Sequence, residues 1–149
     1  MGRGRGGYSQ IETGYKDSGG HKVRDNNSIF VAERYIDLGY EVVFRREHQP
    51  DKSYDLTIKT SDDLSFVKNI EVKGITSRNP SVMAKRIGNA FEQFPPGRED
   101  TVAIYLPNHR NNASGMTFAR AGFEEAVRKG YVKGSVEIWF SDKTKITLS

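Results

Sequence analysis

"YDLTIKTSDDLSFVKNIEVKG", residues 54–74, reads as two alternating strands joined by a short polar turn. The central "SDDLS" supplies residues that favour chain reversal, and the flanking runs form an antiparallel hairpin. With the turn centred on Asp63, Asp55 faces Glu71 across the two strands, their Cβ atoms roughly 5 Å apart. Side chains alternate along a strand, so Lys73 shares that face while Leu56 and Val72 point to the other. A slip of one residue in the hairpin would undo the grouping.

Two facing carboxylates repel, and a bound divalent cation is what makes such a pair favourable. Hard oxygen donors and the absence of cysteine point to Mg2+ or Mn2+ rather than zinc, with Asp55 and Glu71 as the ligands. Beside such an ion Lys73 can hold or deprotonate an attacking water, or neutralise a pentavalent phosphate. The competing reading is that Lys73 balances two surface carboxylates on a solvated face.

Working outward, "SIFVAERYIDLG" reads as a helix capped near Asn27–Ser28 and stopped at Gly39. Its apolar stripe is Ile29, Ala32 and Ile36, with Glu33 inside the stripe by angle. "YEVVFRRE" follows as a strand. Beyond the hairpin, "NPSVMAKRIGNAFEQF" has an Asn cap, Pro at the first helical position and an apolar face of Met83, Ile87, Ala90, Phe91 and Phe94. "TVAIYLP" is a continuous apolar, central strand, and "GMTFARAGFEEAVRKG" a second amphipathic helix. A hairpin turning around residues 141–143 closes the chain. The expected fold is α/β: a central mixed sheet flanked by helices, an αβββαβ core followed by a helix and a β-hairpin.

The length of 149 residues fits one domain, expected over residues 23–149. Residues 1–22, rich in Gly, Arg and Ser, read as a flexible tail or linker remnant. No apolar run is long enough for a membrane span. Zero cysteines rule out a disulfide framework and thiolate chemistry. A net charge of +4 and a pI near 9.3 lean towards a polyanionic partner or an acidic protein.

The layout resembles the PD-(D/E)XK nuclease superfamily, whose restriction-endonuclease-like core has the same αβββαβ order and carries an aspartate and an E-x-K motif on its second and third strands. The likeness covers roughly residues 27–107, and Asp55, Glu71 and Lys73 match the motif aspartate, the metal-binding acid and the catalytic lysine. The literal Pro50–Asp51 is a rival for the aspartate, four residues outside the register. Glu33 matches the helix glutamate of the family, or else pairs with an arginine such as Arg45. Within the superfamily, "FVAERYIDLGYEVV", "YDLTI" and "IEVKG" are similar to nuclease toxins at the C-termini of contact-dependent growth inhibition proteins. The resemblance implies a Mg2+-dependent nuclease toxin, delivered from a larger secreted or cell-surface protein and acting in the target-cell cytoplasm. It implies RNA, above all tRNA, as substrate, and a cognate immunity protein as partner. A DNA endonuclease of the same fold, or a non-catalytic nucleic-acid-binding module, are the alternatives.

Arg78, Lys85, Arg86 and Gln93 lie on or before the helix after the motif, where the resemblance implies contacts to the site or to substrate phosphates and the competing reading is a solvated polar face. Lys85, Asn89 and Gln93 recur every four residues opposite its apolar stripe. His109, in the polar loop "LPNHRNN", is a candidate general acid or RNA contact; as for His21 and His48, the default reading is a surface histidine. Tyr105 and Trp139 read as core or half-buried strand residues.

Overall fold

A computed structural model of the chain describes residues 10–11, 26–44, 55–95, 97 and 100–149. Three helices pack against a six-strand mixed sheet in the order α β β β α β α β β, as the sequence pattern predicts. The chain divides into two compact units, one ending at Ile70 and the other beginning at Glu71.

The first unit holds helix α1 (Asn26–Asp37) and the antiparallel strands β2 (Tyr40–Phe44), β3 (Leu56–Thr60) and the opening residues of β4 (Phe66–Gly74). A two-residue strand, β1 (Gln10–Ile11), lies parallel to β2 at its edge, within the segment expected to be a tail. Helix α1 buries Ser28, Val31, Ala32, Tyr35 and Ile36, a stripe of helical period. It starts two residues earlier than expected, so Ser28 is a buried helical residue and not the cap. The stripe is also rotated from the predicted one: Ile29 is half-buried and Glu33 is exposed. Val31 and Tyr35 bring more apolar surface than Ile29, and turning Glu33 outward avoids burying a charge. Tyr35 packs edge-on to Tyr40, and its hydroxyl accepts a hydrogen bond from Lys68 Nζ at 3.2 Å. Gly39, at φ 99°, ends the helix in the left-handed conformation, its N–H bonding the Ile36 carbonyl at 2.9 Å.

In the β3–β4 hairpin, Leu56 pairs with Ile70, Thr57 with Asn69 and Ile58 with Lys68, the register expected from a turn centred on Asp63. A bulge after Ile58 then shifts Lys59 onto Phe66. Asp63 organises the turn, accepting from Thr60 Oγ1 at 2.6 Å, Ser65 Oγ at 2.8 Å and the Ser65 N–H at 3.1 Å. These donors, Thr60 foremost, pull its carboxyl down to a pKa of about 2.

The second unit comprises the last four residues of β4, then α2 (Pro80–Phe91), β5 (Thr101–Leu106), α3 (Ala113–Arg128), β6 (Ser135–Phe140) and β7 (Lys145–Leu148). The Asn79 carboxamide caps α2 by accepting the Ser81 N–H at 2.9 Å, and Pro80 occupies the first turn. Met83, Ala84, Ile87, Ala90 and Phe91 form its buried face. Helix α3 packs on α2 closely enough that a Cβ on Gly122 would lie 2.6 Å from Met83 Sδ. Strands β5 and β6 are parallel, which requires a crossover, and α3 provides it. All of β5 except Tyr105 is buried, as its unbroken apolar sequence predicts. The closing β6–β7 hairpin turns over residues 141–144, with Lys143 at φ 72°.

Candidate active site

Alternation along β4 puts Val72, 4% exposed, on one face and Glu71 and Lys73 on the other. Glu71 is itself only 5% exposed, and its Oε2 lies 3.5 Å from Lys73 Nζ. Its other carboxylate oxygen, Oε1, is buried as well. A decorative pair on a solvated strand would leave both groups in water. Here a carboxylate has been taken out of solvent with its ammonium partner two residues on, which costs desolvation energy that an open surface pair avoids.

Asp55, half-buried, immediately precedes β3, and its backbone N–H bonds the Ile70 carbonyl at 3.0 Å. That bond lies one residue off the Leu56–Ile70 register, and the paired part of the hairpin ends at Leu56, short of the expected pairing of Asp55. On the same face of β3, Thr57 Oγ1 donates to Asn69 Oδ1 at 2.8 Å, a part-buried polar pairing that pins the register. The rival Pro50–Asp51, with Arg45, His21 and His48, lies outside the described residues.

The remaining candidates divide by exposure. Arg78, Lys85, Arg86 and Gln93 are all exposed, and none of the three cations makes an ion pair among the described residues. Glu33 is 49% exposed in its side chain and lies 3.8 Å from Arg34. The described chain thus turns this glutamate towards solvent and a neighbouring arginine on its own helix.

His109 departs most from expectation. It is buried at 8% exposure, with its ring stacked on Phe118 at 4.4 Å between centroids and 6° between planes. Its Nε2 is buried without a hydrogen-bond partner. Burial, and then the nearby charge of Arg78, lower its pKa below the usual histidine value. A polar loop sequence hides this because the burial comes from α3 folding back over the loop, not from neighbours in the chain.

Sequence reasoning also passed over Glu137, 1% exposed on β6, where it accepts from Trp139 Nε1 at 3.1 Å and lies 3.8 Å from Lys145 Nζ. The signal that could have found it was the run "SVEIWF" beside a central strand: β6 is paired on both edges, so even its polar position is covered.

Among the described residues, no three His, Asp or Glu side chains cluster as a metal site, and no helix is long and apolar enough to cross a membrane. Magnesium prefers carboxylate oxygens, keeps several of its waters and takes substrate oxygens, so the carboxylate of Glu71 is of the donor type that ion accepts. Family models, curated proteins and solved structures give no match to this chain.

Proposed function

We propose that the protein is a metal-dependent phosphodiesterase acting on RNA, tRNA foremost, as the toxin domain of a bacterial competition system. The observation that carries the reading is the buried Glu71–Lys73 ion pair on β4, one residue beyond the Ile70 that holds Leu56 in register. The order of elements and the match of Asp55, Glu71 and Lys73 to the nuclease motif support it. The choice of RNA, the delivery from a larger secreted or cell-surface protein into the target-cell cytoplasm, and a cognate immunity protein follow from the resemblance to growth-inhibition toxins.

In this mechanism Asp55 and Glu71 would hold Mg2+ or Mn2+. When bound, the ion polarises a phosphoryl oxygen and lowers the pKa of a bound water. Lys73, kept in place by Glu71 Oε2, presents its ammonium to the non-bridging oxygens of the scissile phosphate and offsets the charge that develops there. The low exposure of Glu71 keeps bulk water from screening this interaction. Arg78, Lys85, Arg86 and Gln93 bind flanking phosphates and fix the register of the strand being cut.

The test is cleavage of total tRNA and of plasmid DNA, each in Mg2+ and in EDTA. Wild type is expected to cut tRNA only with metal, and Glu71→Gln or Lys73→Ala to lose about 10²–10³-fold in rate, with Glu71→Gln, which leaves no buried charge unpaired, keeping the wild-type melting temperature within a few degrees. Cleavage that survives EDTA, or either substitution, rejects the mechanism. Cutting of plasmid but not tRNA keeps the mechanism and replaces the substrate. Growth arrest on expression, relieved by a co-encoded small neighbour, tests the toxin role.

A further inference from the structure

We propose that Arg78 and His109 form a phosphate-binding subsite that takes up a proton when it is filled. The inference rests on the reading of the protein as one that engages nucleic acid. It concerns a phosphate beside the scissile one, and its test does not require cleavage.

His109 is fixed from several sides. Its N–H bonds the Leu106 carbonyl at 3.2 Å, its carbonyl accepts from the Ser141 N–H at 2.8 Å, and its ring lies flat on Phe118. The neighbouring Asn108 ties this loop to the segment after β4 through Nδ2 and the Thr76 carbonyl at 3.3 Å. A side chain so constrained, with a buried nitrogen that has no hydrogen-bond partner, pays a desolvation penalty that packing alone does not explain. A ligand oxygen supplies the missing acceptor once the imidazole is protonated.

The charges around the ring indicate the class of ligand. From the loop before α2 comes Arg78, exposed and without an ion pair among the described residues. On the histidine's own loop Arg110 follows it. From the β6–β7 turn comes Asp142, whose carboxylate accepts from the Asn111 N–H at 3.1 Å and from Thr144 Oγ1 at 2.6 Å. Phe118 of α3 contributes no charge. Asp142 is thus engaged by Asn111 and Thr144 and carries the charge interaction with Arg110, and the cation that acts on His109 without a counter-ion among the described residues is Arg78. In the free protein burial, and after it the charge of that cation, disfavour the protonated form of His109. An anion bound to the Arg78 guanidinium cancels its repulsion and accepts from the imidazolium, so binding and protonation favour each other.

The experiment follows the His109 imidazole resonances by NMR, assigned with His109→Gln, in EDTA. One arm adds inorganic phosphate and the other short RNA and DNA oligonucleotides. The expected result is a His109 pKa about one unit higher with oligonucleotide bound, and binding tighter near pH 5.5 than near pH 8 at constant salt, by several-fold towards a limit of about tenfold. In Arg78→Gln, an exposed substitution that leaves the core intact, the free pKa rises and the ligand-linked rise disappears. A response to inorganic phosphate alone supports the subsite and identifies the free ion as its ligand. Unchanged resonances at saturating phosphate and oligonucleotide, or an equal pH dependence in His109→Gln, overturn the proposal. Because no bond is cut, loss of cleavage in Lys73→Ala leaves this result unaffected.

Discussion

The turn carboxylate Asp63 and the buried imidazole His109 are shifted in the same direction by opposite kinds of environment. Asp63 is fully exposed and gains three hydrogen bonds that favour its charged form, whereas His109 loses water and faces a like charge. Both lowered values mean that the unfolded chain binds more protons than the folded one, so stability rises with pH through each window. For His109 the contribution is full above its unfolded pKa of roughly 6.5 and is lost as pH falls below it. For Asp63 it is full above roughly 3.9 and is lost as pH falls through about 2. Melting temperatures measured from pH 8 down to pH 2 should show two descending steps. His109→Gln should lack the upper step and Asp63→Asn the lower. The two residues differ in legibility: the role of Asp63 follows from "TSDDLS" because all its partners lie within three residues. The burial of His109 depends on Phe118, nine residues on and brought back by a helix.

At the level of elements, α2 is specified by its own sequence and α1 only partly. Asn79 and Pro80 fix where α2 starts, and its apolar positions repeat at a helical period with charges on the opposite side. Replacing Asn79 by Ala removes the bond to the Ser81 N–H and is expected to cost about 1 kcal/mol. Gly122→Ala is expected to cost about 1–3 kcal/mol, because the added methyl runs into Met83 Cβ as well as its flexible sulfur. Urea denaturation of each variant checks both values, with the m-value expected to stay at that of wild type. Helix α1 has a wider set of apolar residues, Ile29, Val31, Ala32, Tyr35 and Ile36, which permits more than one buried face. Contacts of Tyr35 with Tyr40 and Lys68 select the face that is used, and Glu33 is thereby turned to solvent.

For the whole molecule, the useful quantity is where the positive charge lies. From Val72 to Phe91 the chain carries Lys73, Arg78, Lys85 and Arg86 and no acidic residue. Elsewhere several cations are paired, Arg34 with Asp37, Lys129 with Glu125 and Lys145 with Glu137. Cations without internal partners displace counterions from a polyanion, so binding should weaken with salt. Replacing Arg78, Lys85 and Arg86 together by Gln is expected to flatten the slope of log K against log salt by roughly 0.7 per residue on single-stranded RNA. Titrations in EDTA across a range of salt concentrations measure it, and an unchanged slope places the nucleic acid on another surface. Short-range chemistry in the chain settled the β3–β4 strand register, the Asp63 turn, the cap of α2 and the segregation of charge. Period-two alternation and caps act between residues a few positions apart. The burial of Glu71, Glu137 and His109 and the outward turn of Glu33 came from packing between distant segments. Whether a polar group loses its water depends on what covers it, and the covering residues lie elsewhere in the chain.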